Sequence, residues 1–447
     1  MTLGRSLFAI LAHAAIALGL YWPGMATAQL RLPSLNLPQG LGNPGLDGLV
    51  RPVGPLLDRV VPGQLDKLRL EGVSELLRRH PDVLETDTRG EPVVRSEILA
   101  SSPTPALMAA ALRLGFEVIR EQRFELLGES LVVLRAPAGL STGAALASLR
   151  GLDPQGAFDF NHVYLGGSSM ALGGGTGANI GASAGAGADA RAAASRGGVG
   201  LIDSGVASAH PVFAGTTIEQ FGCGGTRHPA PHGTAVAALM VGRSDRFRGA
   251  APGLRLFAAD IYCDAPTGGS ADKIAAALEW MARRQVGVIN LSVVGPPNAT
   301  LGRVVGAMLA RGHLLVAAAG NDGPAAPPLY PASYPGVVGV SGVDPEGRPL
   351  PESARGPQVM FAAPGSQMVS AALGAPPYRQ VRGSSFAAPI VSALLAQSLP
   401  QPERDAAARA LAALARLAAG SNQATVSNAT GHGVVGAALR MAPARFR

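Results

Sequence analysis

Residues 198–206 read GVGLIDSGV: an apolar run that stops at Asp203 and turns on Ser204 and Gly205. A near-continuous apolar strand marks a parallel sheet buried on both faces, and such sheets carry their functional groups at the carboxyl ends of strands. Working outward, residues 228–242 read HPAPHGTAVAALMVG, with His232 opening an apolar helix. Residues 383–395 read GSSFAAPIVSALL, with Ser384 and Ser385 at another helix start. An acid, a base and a hydroxyl therefore occur in the order Asp203, His232, Ser385, each where a side chain is both fixed and exposed. That is a candidate nucleophilic triad. Taken singly, each has an ordinary structural explanation: a turn residue, a helix-start histidine, an N-cap serine.

The order is informative, because unrelated serine hydrolases differ in it. D-S-G after an apolar strand, H-G-T opening a helix, and G-S-S-x-A-x-P with the second serine as nucleophile together resemble the subtilase family of serine peptidases. A fourth stretch, VAAAGNDG at 316–323, places Asn321 where that family keeps its oxyanion-hole asparagine. The spacings are 29 (232−203), 89 (321−232) and 64 (385−321) residues within one domain-sized segment. The resemblance covers roughly Gly198 to Ala437. It implies that His232 takes the proton of Ser385, that Asp203 holds the imidazole, and that Asn321 and the Ser385 N–H receive the oxyanion.

The 447-residue chain is long enough for two domains. Arg5, an apolar run from Leu7 to about Leu20 and the small-residue site Ala26-Thr27-Ala28 read as a signal peptide cleaved before Gln29, the alternative being a membrane anchor. The product is then secreted or periplasmic. The net charge of +7 resides in the second half, where 20 Lys+Arg face 13 Asp+Glu from Gly198 onward, against 17 and 17 before it. Lys67 and Lys273 are the only lysines, and the arginines are scattered, so no nucleic-acid partner is expected. Cys223 and Cys263 are the only cysteines. In an exported protein a disulfide leads, ahead of two buried thiols or a zinc site with His228 and His232. Against zinc, Pro229 and Pro231 keep the two histidines off a shared helical face.

The expected architecture is α/β: a parallel sheet with helices on both faces, preceded by a small α+β, ferredoxin-like domain. After the signal, 29–62 reads as a Pro/Gly-rich tether. A charged helix through LDKLRLEGVSELLRRH precedes a β-α-β-β-α-β pattern: a strand at Pro92 to Leu99, a helix at Pro105 to Leu114, strands at Phe116 to Arg120 and Ser130 to Arg135, a helix at Thr142 to Arg150, and the extended segment FDFNHVYL ending at Leu165. In the resembled family, such a domain is an intramolecular chaperone and inhibitor whose tail lies in the active-site groove; an independent docking domain is the alternative. Residues 166–197 are almost all Gly, Ala and Ser, a linker open to cutting. In the catalytic half, 198–447, Ser270 is expected to cap the helix whose Ile274, Leu278 and Met281 line one face.

The resemblance also implies a substrate groove at Ser292, Val293, Val294 and Gly295, facing Ala318, Ala319 and Gly320. Val294 stands where the family usually has a glycine, so it either narrows the groove or shifts the loop outward. No cofactor is required; calcium is possible, but HPVFAG shows no ligands for the family's usual site. Together these stretches imply an exported serine endopeptidase, made as a self-processing zymogen. Its partners are a protein or peptide substrate and its own N-terminal domain, and a monomer is expected. The rivals are a silent pseudo-peptidase used for binding and a serine esterase.

Overall fold

The computed structural model describes residues 62–166, 197–419 and 426–446. The expected signal peptide, the tether and all but the ends of the Gly/Ala linker lie outside the described residues.

The N-terminal part opens with helix α1 (Pro62–Arg79), a short strand β1 (Leu84–Thr86), strand β2 (Pro92–Ser101) and helix α2 (Pro105–Arg113). Strands β3 (Glu117–Phe124) and β4 (Glu129–Arg135), helix α3 (Thr142–Leu152), strand β5 (Ala157–His162) and the two-residue strand β6 (Leu165–Gly166) complete it. Both helices start where the sequence dictates: the Thr104 and Ser141 side chains accept the N–H groups of Leu107 and Ala144. The sheet runs β5-β2-β4-β3 with β1 added to β2, all antiparallel. This is the neighbour order of the split-βαβ arrangement. Alternation along its strands makes two apolar faces. Ile98, Ala100, Val132 and Leu134 pack under α2 and α3. Leu99, Leu131 and Val133 join a core built mainly from the second half of the chain.

That second half is a seven-stranded parallel sheet. Its elements in chain order begin with β7 (Gly198–Asp203), β8 (Ile218–Phe221), α4 (Pro231–Val241), β9 (Arg255–Asp260), α5 (Ala271–Arg283), β10 (Val288–Leu291) and β11 (Val293–Val294). They continue with α6 (Ala299–Ala310), β12 (Leu314–Ala318), β13 (Val338–Val343), β14 (Val359–Pro364), the hairpin β15 (Met368–Ala371) and β16 (Tyr378–Val381), α7 (Ser384–Ala396) and α8 (Arg404–Ala419). The strand order is β14-β13-β12-β10-β7-β9-β8. Both faces are dry: Leu201, Ala258, Val288 and Val316 lie in the core with α4 and α7, while Ile202, Ala259, Ile289 and Ala317 lie in the core with α5 and α6. The chain leaves β7 toward β9 on one side and reaches β10 on the other, so the strand order reverses at β7. Open α/β sheets bind ligands beyond the carboxyl ends at such a point.

The N-terminal sheet docks on α5 and α6 through polar groups as well. Arg120 donates to Asp272 at 3.0 Å and to Glu97 at 2.6 Å, and the Asn161 amide donates to both carboxylates. Asp159 accepts the N–H of Ala299 at the start of α6, at 2.7 Å. Here one expectation fails. Ser270 precedes α5 but its hydroxyl makes no cap; it donates to Asp272 Oδ1 at 2.6 Å. The Asp272 N–H in the first turn goes instead to Asn161 Oδ1 at 3.3 Å, so the N-terminal domain supplies the cap that Ser270 was expected to give.

Asp87 ties the tail of this domain to its first strand. Burial alone would raise its carboxyl pKa, but hydrogen bonds from His162, from the N–H groups of Glu91 and Arg89 and from the Arg89 guanidinium outweigh burial and hold it far below the usual range. A depressed carboxylate contributes stability above its unfolded pKa of about 4 and loses it as pH falls toward the folded value. Stability against thermal unfolding should therefore fall below about pH 4, with Asp87→Asn giving an acid slope shallower by up to about one proton. An unchanged slope in the variant would place the acid sensitivity elsewhere.

Candidate active site

Asp203 ends β7 and is 1% exposed. Its Oδ1 accepts from His232 Nδ1 at 2.7 Å and from the N–H and hydroxyl of Ser204 at 2.6 and 3.1 Å. A carboxylate facing Nδ1 pairs with the tautomer that carries its N–H there, which leaves Nε2 as the ring nitrogen turned away from Asp203. His232 reaches Asp203 because Gly233 lets α4 press on the turn after β7. A Cβ at Gly233 would lie 2.0 Å from the Ser204 carbonyl oxygen.

Ser385 stands in the first turn of α7, and the His232 ring packs on the next residue, Phe386, with centroids 5.3 Å apart. The site therefore gathers acid, base and hydroxyl from three segments distant in sequence. Asp203 Oδ2, His232 Nε2 and Ser385 Oγ are all buried without a hydrogen-bond partner. Leaving one such buried polar atom unpaired costs about 1–3 kcal/mol, and here all three members of the candidate triad carry one.

Asn321 follows β12, and its Oδ1 accepts the Ser384 N–H at 2.8 Å, which turns the amide nitrogen toward Gly383. Gly383 has φ +122°, and a Cβ there would sit 2.9 Å from Asn321 Nδ2. No other residue leaves that amide in place. Ser384 itself accepts the Gly320 N–H through its hydroxyl at 3.2 Å. The nearly buried pair Arg382–Glu352, bidentate at 2.6 and 2.9 Å, completes the brace, since the Glu352 carbonyl accepts the Gly323 N–H. Sequence reading missed this pair; nothing in the stretch around Glu352 signals it.

The expected groove segment adjoins the same turn. Ser292 donates to the Ser385 carbonyl at 3.0 Å, and Asn290 links Ser292 to Ser392. Val293 and Val294 are buried and form β11, antiparallel to β6: Val293 faces Gly166 and Val294 faces Leu165. On the other side Val163 bridges to Ser270, and the Tyr164 N–H donates to the Gly269 carbonyl at 2.8 Å. The N-terminal domain's tail thus lies as a strand between residues 269–270 and 293–294. Ala318, Ala319 and Gly320 close the end of β12 beside Asn321.

Cys223 and Cys263 are joined as a disulfide. Among the described residues the one cluster of metal-ligating types is Cys223, Asp260 and Cys263, and its two sulfurs are spent on that bond. The zinc alternative falls with it. His228 lies before α4, apart from any helical face shared with His232.

Comparison with known proteins agrees with this architecture. The subtilase family model matches residues 197–433, and the chain belongs to that family. It is 33% identical over 211 residues to Subtilisin Savinase of Lederbergia lenta, a match covering 45% of this chain and 77% of that protein. It is 30% identical over 203 residues to Subtilisin E of Bacillus subtilis strain 168, covering 43% and 53%. The chain spans about half the length of M-protease of Shouchella clausii and of Subtilisin E. Among solved structures, fervidolysin from Fervidobacterium pennivorans, a keratinolytic enzyme related to subtilisin, shares the fold with a TM-score of 0.61 at 20% identity, over 80% of this chain and 62% of that one.

Proposed function

We propose that the protein is an exported serine endopeptidase, made as a precursor whose N-terminal domain occupies its own substrate groove. One observation carries the reading. A stretch of polypeptide already pairs with β11, Leu165 with Val294 and Gly166 with Val293, next to Ser292, whose hydroxyl is bonded to the Ser385 carbonyl. A groove that holds extended peptide against a serine, histidine and aspartate is built for peptide bonds, which speaks against an esterase.

In the proposed reaction His232 Nε2 takes the Ser385 Oγ proton as that oxygen attacks the scissile carbonyl, and then gives it to the leaving amine. Asp203 keeps Nδ1 protonated and stabilises the imidazolium. The Asn321 amide and the Ser385 N–H, at the positive end of α7, receive the oxyanion. Val294, opposite Leu165, sets the width available to substrate side chains. The tethered domain acts at high effective concentration, so the uncut chain is silent, and cutting within 164–197 releases it. The disulfide fits an oxidising compartment, secreted or periplasmic. No helix among the described residues is long and apolar enough to cross a membrane.

A fluorophosphonate probe should label Ser385 in the processed protein. Ser384→Ala should keep the label and Ser385→Ala lose it. Loss of label in the Ser384 variant alone would reverse the assignment, and no labelling of the processed protein would favour a silent binding module.

A further inference from the structure

On the peptidase reading, the Asn321 amide and the Ser385 N–H must meet the same oxygen, although they stand on loops far apart in the chain. The two loops touch through Asn321 Oδ1, which accepts the Ser384 N–H, and through the Ser384 hydroxyl, which accepts the Gly320 N–H. A third segment, residues 352–354, runs along the Asn321 loop. Its Ala354 N–H donates to the Gly320 carbonyl at 3.1 Å, and its Glu352 carbonyl accepts the Gly323 N–H at 2.8 Å, one bond on each side of Asn321. All three residues of this segment are buried.

The Glu352 side chain turns to the other loop, where its two oxygens accept from Arg382 Nε at 2.6 Å and Nη2 at 2.9 Å. Arg382 precedes Gly383 and Ser384, so the contacts close a ring. It runs from Asn321 to Ser384, along the main chain to Arg382, across the ion pair to Glu352, and through Gly323 back to Asn321. The two side chains are only 10% and 6% exposed. Charges so placed cost desolvation energy that can exceed their mutual attraction, so such a pair is poor evidence for stability. What a guanidinium fork on a carboxylate supplies is direction: two parallel bonds hold the loops at one separation and one angle.

We infer that Arg382 and Glu352 are a positioning pair for the reaction, which sets the reach of the Asn321 amide to the oxyanion and acts through that amide. The inference rests on the peptidase reading. Donors aimed at a developing charge act by their placement, and a misplacement of about 1 Å costs up to about a hundredfold. Lysine at position 382 keeps the charge but lacks the fork, so it does not replace arginine here.

In the processed enzyme, Arg382→Lys and Glu352→Gln should each lower kcat about tenfold, with KM within about twofold of wild type. In an Asn321→Ala background the same substitutions should cost less than about twofold, because the donor they place is gone. A pair that merely stabilised the fold would lose activity by the same factor in both backgrounds. Arg382→Met combined with Glu352→Leu removes both charges of the pair together, and kcat should still fall about tenfold. One readout needs no turnover: in the uncut Ser385→Ala chain, Arg382→Lys should speed amide hydrogen exchange at Gly323 about tenfold. Equal losses in both backgrounds, full kcat in the doubly apolar variant, or unchanged exchange at Gly323 overturns the inference. If the wild-type enzyme cleaves no peptide, the peptidase reading fails instead, and the exchange result alone decides whether the pair holds the Asn321 loop.

Discussion

Ser385→Ala should reduce turnover by about six orders of magnitude, the scale known for removal of the triad serine in subtilisin itself. The reason lies in the geometry around this hydroxyl. Its Oγ is buried and unpartnered, His232 Nε2 is likewise unpartnered, and no other described hydroxyl pairs with that nitrogen. Ser384 offers no substitute nucleophile, since its hydroxyl accepts from Gly320 and its N–H is committed to Asn321. Steady-state kinetics on a peptide substrate should show the loss in kcat for Ser385→Ala and a far smaller one for Ser384→Ala. Comparable losses in the two variants would mean that the pair of serines acts as a structural unit.

Asn321→Ala should lower kcat by about a hundredfold to a thousandfold while leaving KM nearly unchanged. The amide is fixed by its Oδ1 bond to the Ser384 N–H and by Gly383 beneath it, so it is organised before substrate arrives. A preorganised donor acts on the charge that develops in the transition state, not on the neutral carbonyl of the bound peptide. The same variant keeps its backbone contact to the brace, as the Gly323 N–H still reaches Glu352. A rise in KM with kcat unchanged would instead assign Asn321 to ground-state binding.

Much of this architecture is legible in the chain because buried parallel strands leave uninterrupted apolar runs, and Val199 to Ile202 and His313 to Ala319 are such runs. The strands that escape reading lack that signal. β8, Ile218–Phe221, is a short edge strand of mixed polarity, half-buried along its length. β13, Val338–Val343, is fully buried but interrupted by Gly339, Ser341 and Gly342. In the N-terminal part, β3 runs on to Phe124 through charged residues because only its edge position constrains it. At the site, Asp203, His232, Asn321 and Ser385 are readable because each closes a strand or opens a helix in a short fixed phrase. Glu352 and Arg382 are not, since an ion pair joining two loops leaves no local pattern. The seating of Tyr164 is equally silent in sequence: it depends on which residue of FDFNHVYL meets Val294, and only the pairing register fixes that.

If the chain cuts itself after its tail has lain in its own groove, the intact masses of two purified products will show it. Wild-type protein should yield two fragments, with a new amino terminus between about Tyr164 and Gly197, while Ser385→Ala should remain one chain after signal removal. Trimming of the Ser385→Ala protein to the same fragments in a host lacking other proteases would contradict the claim. So would wild-type protein that stays whole and is fully active.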